Sequence, residues 1–68
     1  MKHVTASEMA KALERKGWTL ARVTGSHFIY NRPGARRPIP VPKHGSRPLK
    51  TGTQKSIMRE AGLVDADL

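Results

Sequence analysis

The stretch Arg37-Pro38-Ile39-Pro40-Val41-Pro42-Lys43 admits very few backbones. Each proline fixes φ near −65° and lacks an N–H. A helix does not survive three of them, and neither does a central strand. Backbone N–H groups, however, alternate sides along an extended chain. Pro38, Pro40 and Pro42 can therefore leave the outer side of an edge strand without donors while Ile39 and Val41 pair inward. Prolines placed this way also stop the edge from recruiting another strand. The segment is either the edge strand of a sheet or an extended polyproline run, and the alternation favours the edge strand.

The rest of the chain supplies partners for such an edge. Thr5-Ala6-Ser7-Glu8 has capping-box spacing, and Val4 with Met9 suits a hydrophobic staple. Met9, Ala12 and Leu13 share one helical face, and Gly17 follows as a terminator, so the first helix is predicted over 6–16. Residues 18–23 read as a strand with Trp18, Leu20 and Val23 as its apolar contacts. Thr24-Gly25 is a turn, and residues 26–32 form the next strand. After the proline strand comes a loop over 43–51. Thr51 is then expected to cap a second helix, with Gln54 reaching back. Ile57, Met58 and Ala61 make its buried stripe, Gly62 ends it, and Leu63 and Val64 return to the core. The expected fold is α+β in the order α-β-β-β-α, a three-stranded antiparallel sheet with two helices on one face. Sixty-eight residues make one domain, 1–68, expected to be a monomer when free.

Charge narrows the partners. Thirteen Lys and Arg stand against five Asp and Glu, and no acidic residue lies between Glu14 and Glu60. A surface of this kind attracts a polyanion. The plainer alternative is a solvated surface that keeps the protein soluble. No helix pairs a basic face with a broad apolar one, so a membrane surface is not expected. No cysteine is present, which fits a reducing cytoplasm and removes disulfides and zinc thiolates.

The chemistry-bearing residues are few. There is no carboxylate pair in the basic interval, no phosphate-binding glycine loop, and no spaced ligand set among His3, His27 and His44. Ser26 and His27 are adjacent, so as strand residues they point to opposite faces and form no nucleophile pair. A histidine among cations has another use. RNA cleavage needs a proton taken from the 2′-hydroxyl or given to the leaving 5′-oxygen, and an imidazole titrates near neutrality. Arg and Lys stabilise the charge building at phosphorus. Gly25 lets a phosphate approach the backbone. The residues alone leave His27 either as this acid–base group or as a hairpin residue without chemistry.

Lys16-Gly17-Trp18, Gly25-Ser26-His27 with Tyr30, Val41-Pro42-Lys43-His44, and Lys50-Thr51-Gly52-Thr53 leading to Ile57-Met58-Arg59-Glu60-Ala61-Gly62-Leu63 occur in this order. Together they resemble the HicA toxins, messenger-RNA-cleaving toxins of bacterial toxin–antitoxin pairs. The resemblance spans nearly the whole chain. It implies a fold like a double-stranded-RNA-binding domain and a metal-independent endoribonuclease needing no cofactor. It also implies catalysis by His27 and a HicB-type antitoxin that covers it. Gly25, Ser26, Arg32, Arg36, Arg37, Lys43, His44, Arg47 and Lys50 are the expected RNA contacts, with the cations of the second hairpin and following loop surrounding His27. His44 either orients its loop through a hydrogen bond or assists at the phosphate, and Ser26 is either a turn residue or a phosphate contact. Trp18 reads as core more than as a stacking platform, and Tyr30 as partly buried, with Phe28 or Tyr30 able to stack on a base. The competing reading is an RNA-binding module without catalysis.

Overall fold

A computed structural model describes residues 1–68. Helix α1 spans Ala6–Arg15, one residue short of the expected end. Its start is the capping box: the Glu8 N–H donates to Thr5 Oγ1 at 3.2 Å, and the Thr5 N–H donates to Glu8 Oε1 at 2.8 Å. The backbone N–H of Thr5 holds the Glu8 carboxyl below its ordinary range, assisted by the Thr5 hydroxyl. Val4 and Met9 flank the cap and are both buried, as a staple requires.

Three strands follow, β1 (Thr19–Thr24), β2 (His27–Asn31) and β3 (Ile39–Pro42), in one antiparallel sheet of order β1-β2-β3. The proline segment is thus an edge strand. Ile39 and Val41 are buried, at 3% and 0% exposure, while Pro38 and Pro40 are exposed and Pro42 is half-buried. The Lys43 N–H donates to Ser26 O at 2.7 Å, so odd-numbered residues aim their N–H groups at β2 and the prolines face away.

Strand β1 departs from expectation. Leu20 lies opposite Tyr30 and Val23 opposite Phe28, on the face the helices occupy. Yet Leu20 and Val23 are 48% and 56% exposed. Both helices pack mainly on β3, and every residue of β1 is left exposed. Trp18 precedes the strand and is core, and a bulge at Ala21 shifts the register between Leu20 and Arg22.

Helix α2 runs Thr51–Ala61 and also corrects the sequence reading at its start. Lys50, not Thr51, is the cap residue, and no side chain caps it. Gln54 does not reach back. It is fully buried, accepts from the Val4 N–H at 3.1 Å and donates to the Lys2 carbonyl. Beside it the Leu49 N–H donates to Val4 O at 2.8 Å, and Leu49 joins the core. Past Gly62, in the left-handed conformation, Leu63 is buried but Val64 is 61% exposed. A 3₁₀ turn at Asp65–Asp67 closes the chain against α1. There the Val64 N–H donates to Asp67 Oδ2 at 2.8 Å, and Lys16 Nζ lies 3.2 Å from Asp67 Oδ1.

Two outcomes follow from these contacts. Val41→Asp buries an unpaired charge and should unfold the domain, whereas Pro40→Thr faces solvent and should melt within a few degrees of the parent. Circular-dichroism melts check both, and an unchanged melting temperature for Val41→Asp would contradict the edge-strand placement. The Val64 N–H, followed by Lys16, depresses the Asp67 carboxyl below its usual 3.8. The closing turn is therefore fully held above that value and released as pH falls through the lower folded one. Amide exchange at Val64 should accelerate in that acid window, and Asp67→Asn should abolish the pH dependence.

Candidate active-site groove

His27 owes its position to the tightest turn in the chain. β1 and β2 are joined by Gly25 and Ser26 alone, with Thr24 paired to His27. Gly25 has φ +56° and Ser26 is not left-handed, the pattern of a type II′ hairpin. The Ser26 carbonyl is held by the Lys43 N–H, which ties the hairpin tip to the end of β3. His27 is exposed and sits opposite Pro42. Phe28 and Tyr30 face the helices, so His27 and Ile29 emerge on the other side of the sheet.

His27 also lines a groove of about 710 Å³ along the outer edge of β3. One wall is Pro38, Pro40 and Pro42. The other is the face of α2 that carries Gly52, Thr53, Ser56 and Glu60. With no capping side chain and no acidic residue in its first turn, α2 presents the positive end of its dipole there. Arg37 closes the lining, its Nη2 2.9 Å from Glu60 Oε1. Both partners are open to water, so the pair adds only about 0–1 kcal/mol to stability.

The expected phosphate contacts separate into two groups. Gly25, Ser26 and Lys43 lie at the His27 end of the sheet, whereas Arg37, five residues before the Pro42 that pairs with His27, lines the far end of the groove. The Lys43 ammonium sits 5.1 Å from the centre of the Phe28 ring. His44, Arg47 and Lys50 belong to the exposed loop leading into α2. His44 orders that loop through its backbone, whose carbonyl accepts from the Arg47 N–H at 3.2 Å; its imidazole makes no hydrogen bond. Arg32 and Arg36 do not surround His27. Five residues of extended chain, about 16 Å, separate Arg32 from His27. Arg32 stacks over Trp18 at 4.8 Å, and with Arg36 it lines a second cavity of about 210 Å³. Trp18 and Tyr30 are core, at 2% and 3% exposure, so neither is open to stack on a base. Burial, with the nearby Glu14 charge, pushes the Tyr30 phenol above its ordinary value of 10.

Thr53, Ser56 and Glu60 were not anticipated as groove residues. Their spacing of three and four places them on one helical face, a signal present in the sequence. No three His, Cys, Asp or Glu side chains come together as a metal-ligand group. No helix is long and apolar enough to cross a membrane.

This arrangement defines a small basic α+β protein with a solvent-open histidine in a polar groove. A family model described as the HicA toxin of bacterial toxin–antitoxin systems matches residues 6–63, from the first residue of α1 to just past the end of α2. The chain belongs to that toxin family. No curated protein matches it.

Glu60 is the one carboxylate lining the groove. Glu60→Gln should leave the melting temperature nearly unchanged and free Arg37. The variant should then elute from heparin at higher salt than the parent, and equal elution would show that Arg37 is already available.

Proposed function

We propose that this toxin is an endoribonuclease that cleaves messenger RNA, with His27 as its acid–base group. The observation that carries the reading is the setting of His27. It is an exposed histidine that lines one groove with Arg37 and the uncapped start of α2, within a toxin family. A phosphodiester laid in the groove would have its non-bridging oxygens near cationic and N–H donors. The ribose 2′-oxygen attacks the adjacent phosphorus as its proton leaves. The phosphorus–5′-oxygen bond breaks and the 5′-oxygen takes up a proton. The products are a 2′,3′-cyclic phosphate and a 5′-hydroxyl, so atoms and charge balance without a co-reactant. His27 transfers one of these two protons, and no step calls on a metal.

The same setting makes the toxin easy to silence. A HicB-type antitoxin that places carboxylates against Arg37, Lys43 and Lys50 would cover His27 and exclude RNA by direct competition.

His27→Ala tests the proposal. Loss of a general acid or base lowers rate by about 10²–10⁴. The variant should bind RNA, retain the parent's melting temperature and lose cleavage and toxicity. Parent activity should persist in excess EDTA. Cleavage at the parent rate by purified His27→Ala would overturn the mechanism, and binding without cleavage by the parent itself would leave an RNA-binding module.

A further inference from the structure

Beside the second cavity lies a buried donor without a partner. Trp18 lines the cavity and is 98% buried by the measure of its 2% exposure, yet its indole N–H has no hydrogen-bond partner. A buried donor left unpaired costs about 1–3 kcal/mol, so native structures rarely keep one without cause. Around it the wall is cationic: Arg32, Arg36 and Arg37 contribute, against Glu60 alone. Glu60 is already engaged by Arg37 at 2.9 Å. Arg32 lies over the indole ring and donates weakly to Lys16 O at 3.4 Å, and Arg36 has no ion-pair partner. At about 210 Å³ the space is large against the ~30 Å³ of one water. Three guanidiniums against one carboxylate leave the cavity net positive, and an oxyanion matches that charge.

The cavity adjoins the groove. Arg37 and Glu60 line both spaces, so their ion pair is the partition between them. An anion seated beside Trp18 would therefore lie on the path of a strand whose scissile phosphate is at His27. We propose that the Trp18–Arg32–Arg36 cavity is a second phosphate subsite for the RNA strand, remote from the bond that is cut. This rests on the reading of the chain as an RNA-cleaving toxin. The separation of about 16 Å along β2 corresponds to about five nucleotides of stacked strand at ~3.4 Å each. The toxin then reads strand length on one side of the cut, and short fragments escape it.

Trp18 is the only tryptophan, so selectively excited tryptophan emission reports the surroundings of this one residue. The experiment titrates His27→Ala protein with RNA oligonucleotides extended one nucleotide at a time from the groove, in either direction. Affinity should rise by about 10- to 100-fold in one step near five or six nucleotides, on one side only. Trp18 emission should shift with that step. Arg36→Ala, an exposed change, should collapse the ratio of long to short affinities towards one. A smooth dependence on length with no Trp18 response would overturn the subsite, as would a step that Arg36→Ala leaves intact. Emission that responds to the antitoxin protein but to no RNA would also overturn it, by assigning the cavity to the partner. Because binding is read on protein lacking His27, a failure of catalysis in the parent and a failure of the length step are separate results.

Discussion

One buried amide holds the two ends of this fold together. Gln54 is the only polar residue in the interior, and both of its hydrogen bonds reach the segment before α1. That segment is stitched again by the Leu49 amide and by the bridge between Thr5 and Pro48. The start of α1 is thereby fixed to the start of α2. Removing the amide would leave the Val4 N–H buried without an acceptor, a loss of about 1–3 kcal/mol from a domain whose whole stability is about 5–15 kcal/mol. The position of α2 against β3 depends on this clasp, and the groove is the space between them.

Strand β3 is the other half of that dependence. Its inner residues, Ile39 and Val41, are buried beneath both helices. Its outer prolines close the edge to strand addition and become a groove wall. A single four-residue strand therefore anchors the core through one set of positions and shapes the site through the other. Strand β1, uncovered by helices, contributes the hairpin that aims His27 and little to the interior.

Local chemistry made much of this legible beforehand. The capping box at Thr5 and Glu8, the proline alternation and the Gly62 terminator are each decided within a few residues, and each was readable. The hairpin was readable to within one residue: Gly25 stayed in the turn, while Thr24 moved from turn to strand and Ser26 from strand to turn. What the sequence hid depended on distant packing. Gln54 looks like a capping residue until the N-terminal segment arrives to claim it. Leu20 and Val23 read as apolar strand contacts, the bulge at Ala21 brings both to the helix-side face, and the helices packed on β3 leave them exposed. The six cations of the second hairpin and its following loop look like one cluster along the chain, but β2 carries Arg32 to the end remote from His27. The α2 wall of the groove could be placed only when the helix was seen beside β3, although Thr53, Ser56 and Glu60 already shared a face.

The proline edge has one more physical property. In an extended strand the N–H and C=O of a residue point the same way. The outward positions of β3 thus offer the carbonyls of Pro38, Pro40 and Pro42 with no N–H between them. This wall accepts hydrogen bonds and cannot return one. Facing it, the first turn of α2 has N–H groups to give and no side chain to occupy them. The groove is polarised across its width, acceptors on one bank and donors on the other. A chain of groups that alternates hydroxyls with oxyanions has a preferred way to lie in it, and a uniformly anionic one does not.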